Sequence, residues 1–95
     1  MSKLTVTVEE LRSAAAQLEN LVAEFESISG NAHAAGDALA GEWEGEAQVA
    51  FVEEQTRAKQ WYDRTCNIMR VYIAALKTAA TMYEMADMAA KAVIG

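Results

Sequence analysis

The side chains that could support catalysis or bind a metal are few and widely separated in this sequence. His33 is the single histidine, and no convergent set of ligands or proton-transfer groups is spaced around it. Glu53 and Glu54 are adjacent, so on a helix they point about 100° apart and cannot act as a carboxylate pair. The glycines are too dispersed for a phosphate-binding loop. The sequence also has no nucleophile elbow with which the histidine could form a catalytic triad. We therefore expect no enzyme, no cofactor and no metal.

The charge of the chain is acidic and uneven. The net charge is −6, with eight acidic and two basic residues in positions 1–45 and six of each in positions 46–95. A nucleic-acid partner would require a basic face, and an anionic membrane surface would also select basic residues. We expect neither nucleic-acid binding nor stable membrane insertion. The acidic first half either keeps the protein soluble, which is the favoured interpretation, or forms an acidic docking face.

Nothing in the sequence predicts a membrane segment or a disulfide. Residues 1–8 lack the apolar core of a cleaved signal peptide, and no run approaches the roughly 18 apolar residues of a membrane span. Cys66 is the single cysteine, so an internal disulfide is impossible, and its apolar neighbours predict a small packed side chain. On these features alone the protein would be expected in the cytosol.

The composition predicts long helices in a single small domain. Apolar residues make up 53% of the chain, many of them alanine, and proline is absent. Thr7 and Glu10 form a capping box for a first helix over about 8–40. Gly41 and Gly45 interrupt the helical pattern at a turn over 41–45, and a second helix follows over about 46–93. The predicted fold is all-α, an antiparallel helical hairpin over residues 1–95.

Apolar residues recur at three- and four-residue spacing along both helices. On the first helix they predict one buried seam, and on the second helix they form two neighbouring stripes. We expect the stripe of Trp61, Ile68 and Tyr72 to face the first helix. The stripe of Met69, Ile73 and Leu76 would then need another protein surface, which predicts a dimer whose two hairpins form a four-helix bundle. The residues predicted for the core or the dimer contact are Leu18, Leu21, Phe25, Ile28, Trp61, Ile68, Met69, Tyr72, Ile73 and Leu76.

Two short motifs give the chain a family resemblance. Trp43-Glu44-Gly45 stands in the predicted turn between the two helices, and Tyr83 and Asp87 form a Tyr-x-x-x-Asp element near the end of the second helix. Alone, Trp43 would be expected to cap the core, and Tyr83 with Asp87 would be an exposed pair on one helix face. Together, in a chain of 95 residues, they make the sequence resemble the WXG-100 (ESAT-6-like) family along essentially its whole length.

The resemblance implies a function and a set of partners. Such proteins are exported, folded and dimeric, by the type VII (ESX-like) secretion machinery of actinobacteria and Gram-positive bacteria, without a cleaved signal peptide. The expected partners are a second copy, in a homodimer, or a paralogous protein of the same type, together with the secretion ATPase. The implied export signal consists of Trp43, Gly45, Tyr83 and Asp87, and a role as a virulence factor after export is a further implication.

Two other functions remain open from the sequence. The chain could be a cytosolic helical adaptor or chaperone for a larger secreted effector, which would not itself leave the cell. A membrane-active amphipathic protein fits less well, because the net charge of −6 has the wrong sign for anionic lipid.

Overall fold

The protein is a hairpin of two long helices that run in opposite directions. The computed structural model describes residues 6–94, with side chains described up to residue 92, so that residues 1–5 and 95 lie outside it. Helix α1 spans Val8–Ala40 with 33 residues, and helix α2 spans Glu46–Ile94 with 49 residues. The chain measures 75 × 23 × 20 Å. At about 1.5 Å per residue, the length of α2 alone accounts for the long axis of this rod.

Helix α1 begins directly after its capping residue, Thr7. Thr7 has an extended backbone, and its Oγ1 accepts a hydrogen bond from Glu10 N–H at 3.1 Å. The Glu10 carboxylate accepts from the Thr7 hydroxyl at 3.2 Å, whereas the sequence predicted a bond to the Thr7 N–H. Glu9 and Glu10 also place negative charge in the first turn, which suits the positive end of the helix dipole.

The core between the helices is one narrow row of small side chains. The buried residues of α1 in this row are Ala15, Val22 and Ser29, and those of α2 are Cys66, Ile73 and Ala80. Within each helix they are seven residues apart, which is the spacing of a single contact seam. Four larger residues pack against this row from its sides, namely Leu18, Phe25, Met69 and Leu76.

The predicted rotation of both helices is wrong in part. Leu21 and Ile28, predicted in the α1 seam, are exposed. On α2 the two stripes are exchanged. Ile73, with Met69 and Leu76 beside it, faces the hairpin core, although these three residues were predicted to need a second protein. Trp61, Ile68 and Tyr72, predicted to face α1, are exposed instead.

Ion pairs between the helices accompany this rotation, and each is about half exposed, so that each adds little stability by itself. Three pairs cross from α1 to α2, with seven-residue spacing on both helices: Arg12 with Glu84, Glu19 with Lys77 at 2.9 Å, and Glu26 with Arg70 at 2.8 Å. They lie along one side of the core row, which we call the polar edge. Because neighbouring apolar stripes have the same period, the apolar spacing alone could not determine which stripe faces α1.

The other side of the hairpin is apolar and exposed. The helical wheel places it across the core row from the ion pairs, and we call it the apolar edge. Its large side chains are Leu21, Ile28, Trp61, Ile68 and Tyr72, all of them exposed. The hairpin therefore has one edge lined by its own ion pairs and one apolar edge that none of the residues in the described range 6–94 covers.

The observed rotation of α2 can be tested by comparing two isoleucines, one buried and one exposed. Ile73 is 7% exposed and Ile68 is 59% exposed. Ile73→Ala should lower the free energy of unfolding by about 2–5 kcal/mol, because it leaves a cavity in the core row. Ile68→Ala should change the stability of the separate hairpin by less than about 0.5 kcal/mol. Thermal melts over a dilution series measure both, and equal effects at the lowest concentration would contradict the observed rotation.

Candidate functional site

The turn over residues 41–45 contains the Trp-x-Gly motif in a fixed backbone conformation. Gly41 ends α1 with a right-handed φ of −67°, and its N–H donates to Asp37 O at 3.0 Å. It therefore ends the helix without the positive φ that glycine often adopts at a helix C-terminus. Gly45 has a φ of 107°, the only positive φ among the described residues. Its carbonyl accepts from Val49 N–H at 3.2 Å, so the strained position directly precedes the start of α2.

Trp43 is held against the first turns of α2. The centroid of its ring lies 5.8 Å from that of Phe51, with an angle of 42° between the planes. The backbone N–H of Trp43 donates to Ala40 O at 3.3 Å. The residue remains 38% exposed. One face of Trp43 therefore packs on Phe51, and part of the indole remains open to solvent. Its neighbours in the sequence include three exposed acidic residues, Glu42, Glu44 and Glu46.

Tyr83 and Asp87 lie at the opposite end of the rod. Both are exposed, one turn apart on α2, and they line an open groove of about 630 Å³ together with the start of α1, including Thr7 and Glu9. From Phe51, against which Trp43 packs, to Tyr83 is 83 − 51 = 32 residues of α2, or about 48 Å. One chain thus brings together Trp43 with Gly45, and Tyr83 with Asp87, but it keeps the two halves of the predicted export signal apart.

The apolar edge contains an aromatic cluster at its centre. Phe25 makes edge-on contacts with Trp61 at 6.1 Å and with Tyr62 at 5.7 Å between ring centroids. Trp61 and Tyr62 are themselves 5.7 Å apart. These contacts hold the Trp61 indole at the surface of the edge, where it is half exposed. A rigid aromatic side chain in this position is typical of a residue that anchors a protein interface.

The remaining polar residues serve the structure. Gln55 Nε2 donates to His33 O at 3.0 Å and to Asp37 Oδ1 at 2.7 Å, so Gln55 ties the end of α1 to α2. The Gln55 side chain fits against α1 because residue 36 is a glycine. A Cβ at that position would lie 2.4 Å from Gln55 Oε1. Cys66 is buried with a free thiol, as predicted.

The described residues contain no group of side chains arranged as a chemical centre. No cluster of histidine, cysteine, aspartate and glutamate there has the geometry of a metal site. Arg57 donates a hydrogen bond to Glu54 and so lowers the pKa of that carboxyl, but both groups lie on the open surface. None of the helices described has an apolar stretch long enough to cross a bilayer.

Sequence reasoning overlooked the ion pairs of the polar edge and the Gln55 contact. The signal for the ion pairs was present, because Arg12, Glu19 and Glu26 repeat every seven residues and so do Arg70, Lys77 and Glu84. Opposite charges with matched heptad spacing on two antiparallel helices predict cross-helix pairs. The Gln55 contact depends on how the helices pack, and no pattern in the sequence predicts it.

The turn, the two-helix rod and the exposed apolar edge together define a small all-helical hairpin protein. The family model described as "Proteins of 100 residues with WXG" matches residues 3–88, so the chain belongs to the WXG100 family. Proteins of this family are small helical proteins of the ESAT-6 type that are linked to type VII secretion and generally pair with each other as dimers. No curated protein and no solved structure matches the chain.

Two glycines provide a test of the turn. A Cβ would meet nothing within 4 Å at either Gly30 or Gly45, but only Gly45 has a positive φ. Gly30→Ala, in the interior of α1, should raise the free energy of unfolding by about 0.5–1 kcal/mol, because alanine favours helix. Gly45→Ala should lower it by about 1–3 kcal/mol, because it forces a strained backbone. Denaturant unfolding measures both, and a stabilised Gly45→Ala variant would contradict the turn conformation.

Proposed function

We propose that this protein is a non-enzymatic substrate of a type VII secretion system, exported as a folded dimer. Membership of the WXG100 family supports this proposal, since members of the family are secreted by type VII systems. The turn gives further support, because Trp43 packs against Phe51 and yet remains partly exposed to solvent. A tryptophan that only capped the core would be expected to be covered completely.

The dimer we propose is a homodimer formed through the apolar edge. Trp61, Ile68 and Tyr72 on α2 and Leu21 and Ile28 on α1 are each at least half exposed. Exposed large apolar side chains in such number often mark a surface that another protein covers. A second copy supplies a matching apolar surface, because a twofold axis brings the same edge against itself. The polar edge then remains in solvent with its charges paired.

The orientation of the two hairpins follows from the positions of the two half-signals. Phe51, which holds Trp43, lies 67 − 51 = 16 residues before Asn67, and Tyr83 lies 83 − 67 = 16 residues after it. Ile68, near the middle of the apolar edge, is next to Asn67. In an antiparallel dimer with its twofold axis at this level, the Trp43 of one chain comes level with the Tyr83 of its mate.

The secretion ATPase would then read a composite surface at each end of the dimer. Trp43 offers an apolar anchor with one hydrogen-bond donor, and Gly45 lets a partner approach the backbone. Tyr83 and Asp87 of the mate add a hydroxyl and a negative charge that fix the register of the contact. By symmetry, the dimer carries two such surfaces.

The export assay tests the proposed function itself. The protein should accumulate in the culture medium in a manner that depends on the secretion ATPase. Trp43→Ala and Tyr83→Ala should each abolish export while the helical content remains that of the wild type, because both residues are exposed. Val49→Ala, also exposed near the turn, is the matched control and should be exported normally. A chain that stays in the cell irrespective of the ATPase would instead favour a cytosolic adaptor or chaperone.

Co-expression of the two variants tests the composite surface. In a mixed dimer of Trp43→Ala and Tyr83→Ala chains, both lesions fall at the same end, so the other end keeps one complete surface. Partial recovery of export, measured together with the recovery of mixed dimers from the cytosol, is the expected result. Complete loss of export in verified mixed dimers would mean that one intact surface is insufficient or that the signal is not composite.

A further inference from the structure

The polar edge has a fourth position that no cross-helix ion pair occupies within residues 6–94. The three ion pairs share one register, in which each step of seven residues forward on α1 is a step of seven residues back on α2. The next step after Glu26 is His33, and the next step before Arg70 is Asp63. The fourth position therefore places a carboxylate opposite an imidazole, a group whose charge depends on its protonation.

A cavity of about 460 Å³ lies at this fourth position and is lined by both His33 and Asp63. Gly30 leaves room on the α1 side, since a Cβ there would meet nothing within 4 Å. Histidine and aspartate are also shorter than the arginine, lysine and glutamate side chains of the other three positions. The two helices are thus bridged by ion pairs at three positions and leave open space at the fourth.

His33 makes its polar contacts on the side of the ring that faces the turn. Its Nδ1 lies 3.3 Å from Gln55 Nε2, and its Nε2 lies 3.5 Å from Asp37 Oδ2. The amide nitrogen of Gln55 also donates to His33 O and to Asp37 Oδ1, a carbonyl and a carboxylate oxygen that can only accept. His33 Nδ1 therefore accepts from Gln55, and the ring is neutral with its one N–H on Nε2.

A second proton on the ring would turn the Gln55 contact into one between two donors. The amide cannot rotate to accept from His33 Nδ1, because Oε1 would then face His33 O and Asp37 Oδ1, which are acceptors. Oε1 is already buried against Gly36 without a hydrogen-bond partner among the described residues. Gln55 thus has no orientation that suits a charged imidazole, so protonation must drive the ring away from it.

Asp63 is the carboxylate that the ring reaches by moving into the cavity. Side chains on an α-helix lean towards its N-terminus. On α1 this direction leads away from the turn, from Gln55 towards Asp63. Asp63 pairs with Lys59 through Oδ2 at 3.0 Å, and its side chain is 64% exposed. Its Oδ1 can therefore accept from His33 while the lysine contact persists.

Other charges also surround His33. The charged side chains that share a cavity or a contact with it are Glu26, Asp37, Glu54, Lys59, Asp63 and Arg70, and the other titratable ones are Tyr62 and Cys66. Arg70 is paired with Glu26, and Glu54 is paired with Arg57, so the charges of these pairs largely offset each other near the ring. Asp37 is the rival of Asp63, because it lies one turn along the same helix and already faces the ring.

We propose that His33 is a proton-driven switch. The neutral ring binds Gln55, and the doubly protonated ring moves into the cavity and forms a fourth ion pair of the polar edge with Asp63. Acidification then exchanges a contact near the turn for a contact in the register of the three existing pairs, while both helices remain intact. This inference goes beyond the proposed function and does not depend on export or on a second copy.

Nuclear magnetic resonance follows the ring directly, because His33 is the only histidine. At about pH 8 we expect the ring hydrogen on Nε2 and nuclear Overhauser contacts between the ring and the Gln55 side-chain amide. At about pH 5 the contacts to Gln55 should disappear and contacts to the β-protons of Asp63 should replace them. The proposal is overturned if the charged ring keeps its Gln55 contacts or if its remaining contacts are to Asp37 alone.

A permanent charge at position 33 tests the fourth ion pair without any change of pH. Asp63→Asn should lower the folding equilibrium constant about two- to fivefold more in a His33→Arg chain than in a His33→Gln chain, as expected for a half-exposed ion pair. The contact with Lys59 is lost in both chains, so its effect cancels. Asp37→Asn is the matched control and should show a smaller difference in denaturant unfolding. An equal or larger difference for Asp37→Asn would identify the wrong carboxylate and overturn the proposal.

The same comparison in the natural chain tests the dependence on the proton. Because the positive charge on His33 is present at low pH and lost as the pH rises, the penalty of Asp63→Asn should be about two- to fivefold larger at about pH 5 than at about pH 8. In a His33→Gln chain the penalty should be the same at both pH values. A penalty in the natural chain that is no larger at low pH would contradict the switch.

Discussion

A hairpin of two helices has only one contact seam, and that limit governs the rest of this protein. Each helix buries a single row of small residues, Ala15, Val22 and Ser29 against Cys66, Ile73 and Ala80. The sequence nevertheless carries enough large apolar residues for two seams. The ion pairs of the polar edge close one side of the rod, so the surplus is left on the other side. Among the described residues no further helix covers the apolar edge, which is the reason for proposing that a second copy covers it.

The same geometry separates the two motifs that carry the family resemblance. Trp43 lies on Phe51 at one end of the rod, and Tyr83 lies about 48 Å farther along α2. In the proposed antiparallel dimer, an inverted second copy brings the two motifs level with each other. The same apolar edge that would join the chains would therefore also bring the motifs together. In this account a defect in dimer orientation would affect export as strongly as loss of a signal residue.

Much of the fold followed from local sequence rules, whereas the rotation of the helices did not. Thr7 and Glu10 marked the start of α1, and the Trp-x-Gly segment between two long helical patterns marked the turn. Ile68 and Ile73 were assigned to the wrong faces because two apolar stripes with equal periods lie side by side on α2. The choice between them depends on how the two helices pack, and the structure buries Cys66, Ile73 and Ala80 against α1. Of the candidate site, the sequence identified the residues through the family resemblance, but the contact of Gln55 at Gly36 depends on that packing.

The proposed export as a folded dimer depends most directly on a second copy that covers the apolar edge, with the two hairpins side by side. Small-angle X-ray scattering of the purified chain measures mass and length together. For this dimer we expect a mass of two 10.3 kDa chains and a maximum dimension close to the 75 Å of one hairpin. A fully helical particle with the mass of one chain would contradict it, and so would a particle with the mass of two chains and about twice that length, which would indicate end-to-end association.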